Sequence, residues 1–302
     1  MISCFEDQVD ENPRIKNPSD KNLEFDSQYL SDFDQGNHLL DQYYRLFNSK
    51  SDQKDKIVEA IQYFEKSLES EYNSIDSTYI VLNKLAECFL ILGNHEGSLI
   101  YIKKSLLISV HNYETHFLRA KRYQSLNLSN KCIQLCDSLI SSDSISNKNI
   151  IPIYQMIGDV YSSNQNYKSI DYYNKILGID PENIPALYGK GLFLQNQTDY
   201  GTAQSMYFKI KDLDPNNLHA TFNLGYIHLE ISDFRNAINY FTDVIVTEPQ
   251  YYKAYYTRAI CYEKLGDVIR AEEDYRKVLE IYKYEDTEER LNRILEDNKK
   301  YN

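Results

Sequence analysis

Apolar residues recur at helical spacing over most of this chain, and in its last third the pattern itself repeats. Residues 184–217, 218–251 and 252–285 align without a gap, their first members Ile184, Leu218 and Tyr252 standing 34 apart. Position 8 is small in each (Gly191, Gly225, Ala259), and position 20 is alanine (Ala203, Ala237, Ala271). Position 24 is aromatic (Tyr207, Phe241, Tyr275), and position 32 is proline in the first two (Pro215, Pro249). The spacing predicts two helices per unit, A and B, joined by a short turn. Small residues at 8 and 20 let the two helices approach, and the aromatic at 24 fills the space between them and the next unit. Asp199, Asp233 and Asp267 stand just ahead of helix B, where a carboxylate can accept from orphan backbone amides. Proline at position 32 stops helix B, because it has no N–H to donate and its ring clashes with the preceding turn.

The register continues toward the N-terminus on weaker residues. Residues 151–183 are one short in helix B but keep Gly158, Tyr161, Tyr167 and Pro181. Residues 113–150 carry Ala120, Tyr123, Cys132 and Cys136, with a Ser/Asn/Asp-rich loop over 141–148. Residues 79–112 place Leu85, Ala86, Phe89, Gly93 and Ser98 in register. Ahead of them Ala60, Phe64 and Ser67 mark a helix B, whose helix A is expected over 37–47 across a polar insertion at 48–55.

These positions resemble the tetratricopeptide repeat. The resemblance covers about residues 37–285, as roughly seven units: 37–76, 79–112, 113–150, 151–183, 184–217, 218–251 and 252–285. It implies an all-α, right-handed superhelical solenoid, in which each unit leaves an apolar face that only its neighbour can bury. Such an array needs an end with a polar outer face. Residues 286–302 supply a C-terminal capping helix, with Leu291, Ile294 and Leu295 on one side.

Charge changes the picture at the other end. Residues 1–36 hold nine acidic residues against three basic ones, about half of the net −12 of the chain. The simplest expectation is a disordered, solvated leader. Phe25, Tyr29 and Phe33 would share a helix face, so docking of this segment into the groove of its own array, or onto a partner, is the competing expectation.

Candidate catalytic chemistry is sparse. There is no phosphate-binding loop, no Gly-x-Ser-x-Gly elbow and no pair of histidines four apart. Gly189 and Gly191 fall inside a helix as packing glycines. The odd cysteine count has no framework spacing; Cys88, Cys132, Cys136 and Cys261 occupy inward repeat positions, as small apolar fillers do. We therefore expect no catalytic residues, no metal and no cofactor. The acidic balance argues against a nucleic-acid partner. No apolar run reaches the roughly 20 residues of a membrane span, and the start lacks the features of a secretory leader, so a cytoplasmic protein is expected.

What remains is a binding face. In arrays of this family, ligand-facing residues come chiefly from helix A. Position 5 here is Phe117, Tyr188, Phe222 or Tyr256, and position 9 adds Leu192, Tyr226 and Ile260. Gln195, Asn223, Lys253 and Thr257 stand around them. This mixture suits an extended peptide or an amphipathic helix, although the same aromatics could instead pack between adjacent A helices. The resemblance thus implies a non-catalytic interaction scaffold or adaptor binding a protein or peptide partner. The alternatives are a regulatory subunit of an enzyme complex and a co-chaperone that clamps an acidic chaperone C-terminus. Of the five clamp positions only Asn223 and Lys253 match; Tyr188, Leu192 and Thr257 replace the others, and Arg258 is one place off.

Overall fold

The computed structural model describes residues 27–45, 54–69, 75–141, 146–282 and 285–301. Among the described residues there are fifteen helices, packed in sequential pairs as an all-α repeat array. The chain divides into two compact units, 1–119 and 120–302. In the first, α1 (Ser27–Arg45) pairs with α2 (Lys54–Leu68) and α3 (Ile75–Ile91) with α4 (His95–Ile108); α5 (Tyr113–Ser125) carries the division. The second holds α6 (Ser129–Ile140), α7 (Asn147–Ser163), α8 (Lys168–Ile179), α9 (Ile184–Asn196), α10 (Tyr200–Leu213), α11 (Leu218–Glu230), α12 (Phe234–Thr247), α13 (Tyr252–Leu265), α14 (Val268–Ile281) and α15 (Glu285–Tyr301).

Local chemistry sets the helix ends. Asp199, Asp233 and Asp267 cap α10, α12 and α14, accepting from the amides of Thr202, Asn236 and Arg270. Asn183 and Asn217 cap α9 and α11 in the same way. The residues before Pro181, Pro215 and Pro249 are extended (Asp180 φ −133, Asp214 φ −138, Glu248 φ −136), as proline requires of its predecessor, and each helix B stops there. The turn from A to B holds one left-handed residue at position 15 of every unit from the second to the seventh. These are Gly93, Asn127, Gln165, Thr198, Ser232 and Gly266, with φ between 54 and 77. Two are glycine; the other four adopt a backbone that costs an L-residue roughly 1–2 kcal/mol, so the packed helices on either side hold the turn shut.

Between the helices, the aromatic at position 24 lies where position 8 has no side chain. A Cβ on Gly225 would stand 2.8 Å from Phe241 Cε1, one on Gly191 3.0 Å from Tyr207 Cε1, and one on Gly158 2.8 Å from Tyr173 Cε1. Gly189, from the following A helix, is equally close to Tyr173. All three rings are buried. The buried hydroxyls need acceptors. Tyr207 donates to Gln195 Oε1 and Tyr275 to Glu263 Oε2, both at position 12 and both at 2.9 Å. Where position 24 is Phe241, position 12 is Leu229, which packs against the same core. Tyr207→Phe alone therefore leaves Gln195 Oε1 buried without its donor, and urea unfolding should show a loss of about 1–3 kcal/mol. Adding Gln195→Leu should recover most of it, since the next repeat already carries that pair.

The first unit departs from the expected boundary. Helix α1 begins at Ser27, not at residue 37, so residues 27–36 are helical rather than part of a structureless leader. Gly36, the last residue of that expected leader, is a packing glycine: a Cβ there would lie 2.7 Å from Phe64 Cε1. Phe33 joins the same cluster, its ring 5.8 Å from that of Phe64, so it serves the α1–α2 core. Asp32, nearly buried, receives Lys66 Nζ at 3.3 Å. Phe25 lies outside the described residues, and the side chain of Tyr29 is not among those described, so the docking expectation for residues 1–26 lies outside them too. Farther along, a buried polar cluster joins α3 to α4 and α5: Ser105 and Thr115 both donate to Asn83 Oδ1 at 2.9 Å.

At the far end, α15 covers the last repeat. Leu291 and Ile294 are buried against Ala259, Ala271 and Tyr275, and Leu295 packs at the edge. Arg290 and Arg293 reach Glu263 at 3.4 and 2.7 Å, and Arg290 also holds Asp286 at 2.9 Å.

Candidate functional site

The A helices of the second unit run beside one another. Helix α7 touches α9, and α11 touches α13. A hydrogen bond from Asn223 Nδ2 to the Tyr188 hydroxyl (3.2 Å) and a ring contact between Tyr188 and His219 (6.0 Å) join α9 to α11. This brings the residues at positions 5 and 9 to one face. Tyr188, Leu192, Phe222, Tyr226, Tyr256 and Ile260 are each half-buried, and Lys253 is exposed.

Each position-5 ring also has a packing duty. Tyr188 meets Tyr207, Phe222 meets Phe241 and Tyr256 meets Tyr275, with centroids 6.1, 5.4 and 6.0 Å apart. Phe222 further meets Tyr251 edge-on at 5.4 Å. These rings therefore stand on the buried position-24 aromatics and keep one edge at the surface. Tyr256 differs, because α15 takes its polar end: its hydroxyl donates to Asp286, and the Arg290 guanidinium lies 5.8 Å from its ring. Burial, and then the bond to Asp286, push that hydroxyl up to about 12. Tyr226 is raised as well, first by burial and then by its bond to Glu230.

The polar residues expected on this face are placed unevenly. Gln195 is 8% exposed and accepts from Tyr207. Thr257 is equally buried, its hydroxyl donating to the Lys253 carbonyl at 2.8 Å. Asn223 is 7% exposed and spends its amide on Tyr188. Lys253 alone offers an exposed charge. Phe117 belongs to the first unit, where its ring stacks on Tyr113 at 5.8 Å. Arg258, one place from a clamp position, points elsewhere: it makes two 2.8 Å bonds to Asp274 and a 2.9 Å bond to Thr242. The partner of Gln195 was legible in the sequence, because glutamine at position 12 accompanies tyrosine at 24 and leucine accompanies phenylalanine.

The known proteins decide the family. Residues 222–286 match a family model of the tetratricopeptide repeat, and residues 151–183 match a second model of the same repeat. The chain carries tetratricopeptide repeats. No curated protein matches the sequence. Among solved structures, a tetratricopeptide repeat protein from Parabacteroides merdae is 17% identical with a TM-score of 0.58, over 87% of this chain and 99% of that one. PilW, a widely conserved type IV pilus biogenesis factor, is 18% identical with a TM-score of 0.60, over 72% of this chain and 98% of that one. At such identities the likeness shows the fold alone. Tetratricopeptide repeat proteins generally mediate protein–protein interactions, and the family is usually non-catalytic. The described cysteines fit a structural role. All four are buried, and burial raises Cys88 and Cys261 to about 12, away from thiolate chemistry. Among the described residues no helix is long and apolar enough to cross a membrane.

Proposed function

We propose that this tetratricopeptide repeat protein is a non-catalytic scaffold or adaptor that binds a partner's peptide or helix on the face formed by α9, α11 and α13. The observation that carries this reading is the row of half-buried apolar side chains at positions 5 and 9, its position-5 rings anchored below by buried aromatics and flanked by the exposed Lys253. Rigid aromatic edges beside a cation favour an amphipathic or extended ligand, since flat apolar surface is presented with little side-chain entropy left to lose. The co-chaperone reading is less favoured, because Asn223 already serves Tyr188 and Arg258 already serves Asp274.

The test is capture of partners from cell extract by the intact chain, by Phe222→Ala/Tyr226→Ala and by Lys253→Glu. Circular dichroism must show that all three fold. A partner bound on this face should lose more than about 2 kcal/mol of binding energy on the double truncation. It should also weaken with Lys253→Glu, which removes no packing. Partners held equally by all three proteins would place binding on another surface and end this reading.

A further inference from the structure

Helices α7 and α8 carry a second aromatic and basic constellation, built from residues outside the position-5 and position-9 row. Tyr172 of α8 stacks on Tyr161 of α7 at 5.8 Å and tilts against Tyr154 at 5.9 Å. Lys175 Nζ sits 4.3 Å from the centroid of Tyr172 and 5.3 Å from that of Tyr154. Lys168 Nζ lies 5.7 Å from the Tyr161 ring. Lys190, from α9, reaches the same rim and donates to Asn174 Oδ1 at 2.8 Å. Together these groups border a surface cleft of about 630 Å³ lined by Tyr161, Lys168, Asp171, Tyr172, Asn174 and Lys175.

Two features single this cleft out. Asp171 lies three residues after Lys168 and four before Lys175, spacings at which helical ion pairs form. Even so, neither lysine has a carboxylate partner among the described residues, whereas Lys66, Lys84 and Lys277 do. The ammonium of Lys175 is instead held over two tyrosine rings, which positions it and leaves its N–H donors to solvent. The second feature is contrast: in a chain of net charge −12, three ammoniums around one aromatic cleft form a local basic island.

We propose that this cleft binds an acidic linear peptide of a partner protein, with carboxylates on Lys168 and Lys175 and an apolar or aromatic neighbour against Tyr161 and Tyr172. A lysine is a point charge that suits single carboxylates, and the tyrosine faces supply the flat contact that a peptide side chain needs. The trough is open at the surface, so it holds a segment of chain rather than enclosing a small molecule. A nucleic acid fits poorly. An unbroken run of phosphates must pass Asp171 in the lining and Asp137 beside Tyr172, whereas a peptide with spaced carboxylates places neutral residues there.

The probe is a fluorescein-labelled peptide alternating Asp and Glu with Phe and Ser, read by anisotropy on the full chain, beside its Asn/Gln analogue. The acidic peptide should bind, weaken as NaCl rises, and lose at least tenfold in affinity on Lys168→Glu/Lys175→Glu. The charge-matched control Lys209→Glu/Lys264→Glu, at two exposed lysines of α10 and α13, should leave it unchanged. Equal binding of the neutral analogue, or equal loss in both double variants, would overturn the proposal. So would a labelled oligonucleotide that binds through Lys168 and Lys175 more tightly than the peptide. Exposed lysines carry no core packing, so circular dichroism should show both variants folded.

Discussion

Arg258→Ala is expected to destabilise the second unit by about 3–5 kcal/mol at neutral pH, the usual cost of removing one partner of a buried ion pair. The guanidinium is the charged partner of Asp274, whose side chain is only 7% exposed, and it also ties α13 to Thr242 of α12. Burial already holds the Asp274 carboxyl above its ordinary range, against the lowering effect of Arg258. A carboxyl raised on folding contributes stability that is fully present below its unfolded pKa, about 3.9, and lost as pH rises through the folded value. Without Arg258 the folded value climbs further, so the carboxyl takes up a proton in the fold more readily. The difference between variant and parent should therefore be largest near pH 7 and shrink below about pH 4. Urea unfolding followed by circular dichroism at the two pH values checks this, and a difference independent of pH would exclude a buried unpaired carboxylate as its cause. Arg258→Met combined with Asp274→Leu should recover much of the loss, because no charge is then left buried.

Phe241→Ala should cost a similar amount, about 3–5 kcal/mol, for a different reason. The ring is fully buried, fills the space left by Gly225 and supports Phe222 from below. Its removal leaves a cavity that a close-packed helix pair collapses into only in part. In a repeat array each unit leans on its neighbours, so the damage should be local. Hydrogen exchange should show α11, α12 and the start of α13 losing protection while α1–α4 keep theirs. Uniform loss across all described helices would mean that the array unfolds as one cooperative body.

Much of this architecture could be read from the chain. The small residue at 8, the alanine at 20 and the aromatic at 24 are tied by one physical fact, a ring lying where a Cβ is missing, so the period and the packing are the same information. The aspartate caps and the proline stops were legible for equally local reasons. Gly36 was not. The insertion between α1 and α2 breaks the count back from Phe64, so a packing glycine looked like the end of a leader. The candidate face was legible only in part, because the rings of Tyr188 and Phe222 both pack and remain accessible, and spacing cannot apportion those roles. Gln195 and Thr257 carry polar groups that suggested a ligand, yet each satisfies a neighbour within the fold. The tyrosine and lysine cleft of α7 and α8 gave little warning, since its rings come from two helices and meet only when those helices pair.

Helix α15 makes the end of the array a movable seam. Its inner side meets Ala259, Ala271, Tyr275 and Tyr256, which is the surface that one repeat offers to the first helix of the next. Its outer side, with Glu288, Glu289 and Asn292, faces water. Insert a second copy of residues 252–285 after the first, and α15 finds an identical seat 34 residues later. The protein can thus lengthen by whole units through duplication, with the same plug closing each new edition.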